Sequence, residues 1–225
     1  MATPLPQILS NLHAAAEAAG RPDPRLLAVS KTQPAEAVAA LAAQGQHAFG
    51  ENYVQEALAK MQALQHLALE WHLIGHLQSN KAEAVANHFD WVQSVDRPKL
   101  VTALARHRPA ARGPLNVLVQ VNIDDESSKH GCAPEDVDAL AAAIAAEPQL
   151  RLRGLMAIPA PWPQPERRRD AFVRMRTLFQ SLGAQHAHVD TLSMGMSSDY
   201  AEAIAEGATL VRIGTALFGA RPRPA

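Results

Sequence analysis

Leu26-Leu27-Ala28-Val29-Ser30-Lys31-Thr32-Gln33-Pro34 is the stretch on which the fold turns. Four apolar residues closed by a serine read as a strand buried on both faces, the signature of a parallel sheet. The turn that follows holds no glycine. A dinucleotide-binding sheet would place a Gly-rich turn after an early strand, so this turn argues against it. Pro34 sits where a first-turn proline opens a helix.

Working outward, the same rhythm repeats. Apolar runs at 26–30, 47–50, 71–75, 91–95, 115–122, 152–158, 191–194 and 210–214 read as strands. Ala-rich stretches at 34–44, 53–64, 79–87, 98–107, 134–146, 168–182 and 198–206 read as helices, with one more at 4–19 in front. Gly20, Gly45, Gly183 and Gly207 sit where helix C-caps are expected, and Pro134 where a first-turn proline is. Eight strands, each but the last followed by a helix, predict an α/β protein: a single (β/α)8 TIM barrel over residues 1–225 with an extra N-terminal helix.

The composition, 48% hydrophobic and 19% charged, fits a globular chain with a sizeable core. Net charge is −1 and the pI is about 6.8, which gives no electrostatic ground for nucleic-acid or anionic-membrane partners. Residues 1–20 hold no Lys or Arg and lack the pattern of a secretory signal. No stretch approaches the roughly 20 apolar residues of a membrane span. The single cysteine, Cys132, can form no internal disulfide, and its only basic neighbour is His130, so it reads as inert. The expected location is the cytoplasm.

Reactive groups of such barrels sit at the C-terminal strand ends. There are five lysines against sixteen arginines, and one of the five, Lys31, ends the first strand on the face of Leu27 and Val29. A partly desolvated lysine there can lose its proton and attack an aldehyde. On the last strand Val211 and Ile213 suit the helix layer, which turns Arg212 and Gly214 inward. An inward arginine needs an anion or an acceptor; either a ligand or an acid such as Glu51 meets that need. The loops after strands seven and eight, Ser193-Met-Gly195-Met-Ser197-Ser-Asp and Gly214-Thr215, offer small residues and hydroxyls to a phosphate. Ser197 or Ser198 also fits a helix N-cap. An amine, a buried arginine and a phosphate cradle are together satisfied by pyridoxal 5′-phosphate (PLP), held as a Schiff base on Lys31. Its phosphate would lie against Ser193, Ser197, Gly214 and Thr215, and its unprotonated ring nitrogen would accept from Arg212.

The chain resembles the pyridoxal phosphate homeostasis protein family in a set of motifs. They are Val29-Ser-Lys-Thr, Phe49-Gly-Glu-Asn-Tyr-Val-Gln-Glu, Trp71-His-Leu-Ile-Gly, Leu77-Gln-Ser-Asn-Lys, Arg153-Gly-Leu-Met156, Leu192-Ser-Met-Gly-Met-Ser and Val211-Arg-Ile-Gly-Thr-Ala-Leu-Phe-Gly. The resemblance runs from about Leu26 to Gly219. It implies a barrel like the N-terminal domain of alanine racemase (fold-type III), PLP on Lys31, and a cofactor pocket that takes in Asn52, His72, Met156 and Gly195. It also implies a role in buffering or delivering PLP, with apo-enzymes as transient acceptors, and no established turnover. Many relatives have a second lysine where this chain has Gln33, and proline where it has His76.

Other residues carry rival readings. Asn52 lines a pocket or caps the next helix. Lys129, in the loop after strand five, is a solvated loop lysine or a second amine at the mouth. His72 and His76 are four apart but have no third ligand nearby in sequence, so no metal site is assigned. Arg167-Arg-Arg169 reads as a solvated helix face. Glu51 and Glu56 lack a paired-carboxylate arrangement, and no catalytic residues are assigned. Racemases of this barrel add a C-terminal β-domain and usually dimerise. This chain stops six residues after Gly219 and has only two tyrosines, so a monomeric, non-catalytic carrier is expected. A single-domain PLP-dependent racemase and an aldolase-type barrel without PLP are the alternatives.

Overall fold

The computed structural model describes residues 2–126 and 129–219; the serines of the 124–131 loop and the 220–225 tail lie outside the described residues. Eight parallel strands close on themselves in sequence order. They are β1 (Arg25–Val29), β2 (Ala48–Glu51), β3 (Glu70–Leu73), β4 (Trp91–Val95), β5 (Leu115–Val121), β6 (Leu150–Ala157), β7 (Thr191–Met196) and β8 (Leu210–Ile213). β1 seals the barrel against β8, with Leu27 level with Arg212.

Helices α1 (Leu5–Ala18), α2 (Ala35–Ala42), α3 (Val54–Ala63), α4 (Ala82–His88), α5 (Pro98–His107), α6 (Val137–Ala145), α7 (Pro165–Gln185), α8 (Tyr200–Ala205) and α9 (Thr215–Phe218) form the outer layer. α1 carries its apolar stripe at Leu5, Ile8, Leu12 and Ala16 and packs on α8 and α9. Gly183 falls inside α7 rather than capping it, because the helix continues through Ala184 and Gln185. Gly20, Gly45 and Gly207 do take the positive φ of a helix terminus.

Strand parity splits the core in two. Leu26, Ala28, Phe49, Trp71, Leu73, Val92, Val211 and Ile213 face the helices in one large cluster. Inside the barrel lie Leu27, Ala48 and Leu210, and separately Trp91, Leu118 and Met156. Arg212 alternates with Val211 and Ile213, so its guanidinium enters the interior, where it is 3% exposed. The alternation places the site: whatever follows Leu27 and Arg212 by even steps emerges at the mouth.

Candidate functional site

Lys31 stands two residues past the end of β1, half-buried, in a turn whose backbone is fixed on both sides. Ser30 Oγ donates to Glu51 Oε1 (2.6 Å). Lys60 Nζ, buried on α3, donates to Ser30 O, to Glu51 Oε1 and to Glu56 Oε1, each at 2.7 Å. Glu56 Oε1 also accepts from the Thr32 N–H (2.5 Å). Thr32 has φ +64, a left-handed conformation that a β-branched residue rarely adopts. The flanking residues of Lys31 are therefore tied to α3. Burial raises the Glu51 carboxyl above its ordinary value, against the pull of Lys60 and Ser30.

A small cavity of about 40 Å³ is lined by Val29, Lys31, Thr32, Gln33, Gly214, Thr215 and Gly219. The structure thus brings Lys31 together with Gly214 and Thr215, across the β1–β8 seam. Gly214 approaches β1 closely: a Cβ there would lie 3.2 Å from Val29 O. Thr215 opens the short helix α9 directly after β8, a placement that barrels of this type use for phosphates.

Below the mouth runs a hydrogen-bonded chain whose direction follows from its end. Arg212 can only donate, and its Nη1 bonds Ser193 Oγ (2.7 Å) while Nη2 bonds Ala157 O (2.7 Å). Ser193 Oγ must then donate to Gln93 Oε1 (2.7 Å). Gln93 Nε2 donates to His72 Nδ1 (2.9 Å), which leaves the His72 proton on Nε2, facing Glu70 Oε1 (2.7 Å). Arg25 Nη2 completes the line at Glu70 (2.7 Å). Burial holds His72 below its usual value, consistent with the neutral tautomer. Burial opposes ionisation of Glu70, but the bonds from His72 and Arg25 outweigh it and bring the carboxyl down to about 2. Burial brings Arg212 down to about 10, with Asp199 opposing, so it stays charged at neutral pH.

The other expected residues divide. Ser193 is fully buried, its hydroxyl turned to the interior chain rather than to the rim. Met156 is fully buried with Trp91 and Leu118 and paired in register with Ser193. Ser197 lies half-buried in the turn after β7. Gly195 has φ +89, and a Cβ there would lie 2.6 Å from Ala203 Cβ, so packing against α8 is enough to require glycine. Asp199, not a serine, holds the N-cap position of α8, and its Oδ1 accepts from the Met196 N–H (2.6 Å). Asn52 does not cap α3, whose N-cap is Tyr53 with no side-chain bond. Its Oδ1 is buried without a partner, on the wall of a cavity of about 250 Å³ shared with Gln120, Asn122, Lys129 and His130. Arg212 does not pair with Glu51, which belongs to Lys60. Lys129 pairs with Glu126 (2.6 Å) and donates to Ile158 O. Arg168 and Arg169 bind Glu202 and Glu206, tying α7 to α8. Burial pushes the Cys132 thiol up to about 12, in keeping with an inert cysteine.

Sequence reading missed Gln93 and Lys60. Both were marked: Gln93 interrupts the buried run of β4, and Lys60 falls three residues after Ala57 on the buried stripe of α3.

The sequence matches the family described as alanine racemase, N-terminal domain, over residues 4–222. It is 55% identical over 218 residues to the pyridoxal phosphate homeostasis protein of Pseudomonas aeruginosa, covering 96% of this chain and 93% of that one. It is 52% identical over 222 residues to the protein of that name from Escherichia coli K12, covering 96% and 95%. Among solved structures, PipY of Synechococcus elongatus with PLP bound superposes with a TM-score of 0.81 at 38% identity, over 94% of this chain and all of that one. A closed eight-stranded barrel with a lysine at its first strand end, matched along nearly its whole length, places this chain in the pyridoxal phosphate homeostasis protein family.

Proposed function

We propose that this chain binds PLP at the barrel mouth, holds it covalently through Lys31, and buffers or delivers it in vitamin B6 homeostasis without catalytic turnover. The observation that carries this is the convergence of Lys31, Gly214 and Thr215 on one cavity at the β1–β8 seam. When bound, the cofactor supplies an aldehyde, and condensation with a neutral amine there releases water.

The residues present fit the group. The buried Asn52 Oδ1 without a partner offers an acceptor at the mouth, and Gly214, which has no side chain, lines the cavity beside Lys31 and Thr215. Thr215, Ser197 and the backbone about Gly195 and Gly214 would hold the phosphate. Arg212 would donate to the ring nitrogen, and Ser193 would act by fixing Arg212, with His72 and Met156 forming the floor. A nitrogen that accepts from a charged arginine stays unprotonated and withdraws few electrons, so carbanion chemistry on this barrel would need other help.

The test is borohydride reduction of the PLP-loaded chain followed by peptide mapping. A pyridoxyl group on Lys31, absent in Lys31→Ala, is expected. Labelling elsewhere, or unchanged labelling of the variant, would sink the assignment. Racemisation of an amino acid by the loaded chain, lost in Lys31→Ala, would overturn the non-catalytic reading.

A further inference from the structure

Three consecutive strand ends bring together a donor set outside the residues assigned to PLP. His76 follows β3, Asp96 follows β4, and His130 lies in the loop after β5. Their ligand atoms all lie within 4.8 Å of one another. His76 Nδ1 is 3.9 Å from Asp96 Oδ2, and the two imidazoles are stacked with centroids 3.7 Å apart. We propose that His76, Asp96 and His130 form a binding site for a divalent transition-metal ion of the zinc class.

The chemistry of the set matches. Two imidazoles and one carboxylate suit zinc, cobalt or nickel better than magnesium or calcium, which prefer oxygen. Three protein ligands leave a position open to water or to an anion. The Asp96 carboxylate is anchored from behind, as metal ligands usually are, and the backbone that carries His130 is held in place. Arg97 Nη1 donates to Asp96 Oδ1 (2.5 Å), leaving Oδ2 toward His76. Gln120 Nε2 donates to His130 O (3.1 Å). Gly131 (φ +128) sets the turn beside it, where a Cβ would lie 2.5 Å from Asn122 N.

Donors about a tetrahedral zinc lie about 3.4 Å apart for bonds of roughly 2.1 Å, so the set must close by about an ångström. The face-to-face stack sends the two lone-pair sets out side by side. Binding therefore turns one imidazole about its Cβ–Cγ bond, and both histidines are exposed at the rim. The same histidines line the cavity of about 250 Å³ that also holds Asn52 and Lys129, so the open position faces a space large enough for a small anion.

The experiment is titration of the untagged full chain, free of PLP, with zinc chloride against a chromophoric chelator. Cobalt(II) chloride serves as the spectroscopic probe. One equivalent is expected, with cobalt giving the visible bands of a low-coordinate site. His76→Ala, His130→Ala and Asp96→Asn are each expected to weaken binding by at least about 10-fold, and His76→Ala/His130→Ala to abolish the site. Zinc should raise the melting temperature of the parent but not of the double variant. Because His130 is an exposed loop residue, His130→Ala decides the matter if Asp96→Asn fails to fold. The proposal is overturned if the double variant binds as the parent does, if His186→Ala, after the end of α7, weakens binding equally, or if no equivalent is taken up.

Discussion

Replacing Lys60 by Met should destabilise the barrel through a buried acid it leaves behind. Lys60 is 5% exposed and makes three bonds of 2.7 Å; Glu51, its main partner, is fully buried with Oε2 already unpartnered. Removing one member of a buried ion pair costs about 3–5 kcal/mol, mostly for the stranded charge. Glu51 can escape that cost by taking a proton, since burial already holds its pKa above the ordinary 4.5. A raised carboxyl means the folded state grips the proton harder than the unfolded one. Its contribution is therefore fully favourable below 4.5 and is lost as pH rises through the folded value. Without Lys60 the folded value climbs further. The variant's deficit should be largest at pH 8. It should shrink on acidification by at most about 1.4 kcal/mol per pH unit, over the interval between the parent's Glu51 pKa and the variant's. Urea unfolding of both proteins at pH 8 and pH 5 measures this. Lys60→Met/Glu51→Gln should recover most of the loss, because a neutral pair strands no charge. An equal deficit at both pH values, or a double variant as unstable as Lys60→Met, would refute the reasoning.

Glu70, held at about 2 by His72 and Arg25 against burial, contributes stability above its ordinary 4.5 that is lost as pH falls through about 2. Glu70→Gln should flatten the acid limb of the stability profile between those values, measured by thermal melts. Ser193→Ala removes the acceptor of Arg212 Nη1 and the donor to Gln93 Oε1; with a charged donor involved, the expected loss is about 2–3 kcal/mol by urea unfolding. Gly75→Ala would set a Cβ 2.2 Å from Asn52 O, a backbone atom that cannot swing aside, and should cost about 3 kcal/mol or unfold the chain.

The barrel was legible because parallel strands announce themselves as short apolar runs and parity assigns their faces. Val211 and Ile213 went to the helix layer and Arg212 to the interior as alternation requires. Features that depend on local dihedrals were harder to read. Asn52 and Ser197 carry good capping side chains, yet the N-caps are Tyr53 and Asp199, because a cap is decided by where φ and ψ leave the helical region. The Pro-rich loop 159–165 hid the start of α7 at Pro165, where proline's fixed φ favours a first turn. α9 is four residues long, too short to show a helical period. The interior chain from Arg212 to Glu70 joins four strands, and only the closed barrel sets those residues side by side.

The division between floor and rim bears on how such a site would work. On the floor, donors and acceptors match from Arg25 to Ala157, and the donor-only Arg212 fixes the sense of the line, so one arrangement of protons satisfies it. A guanidinium set this way is held in one orientation by Ser193 and Ala157. At the rim, Lys31 rests on a turn that includes a left-handed Thr32 restrained through Glu56, and Glu56 is shared with Lys60. Backbone strain of this kind persists only while its surroundings hold it. Weakening the Glu56 tie should therefore free the Lys31 turn while leaving the Arg212 end unchanged. Loading and release would then be set at the rim, and recognition of the ring on the floor. That separation suits a protein that must hold a cofactor firmly and also give it up.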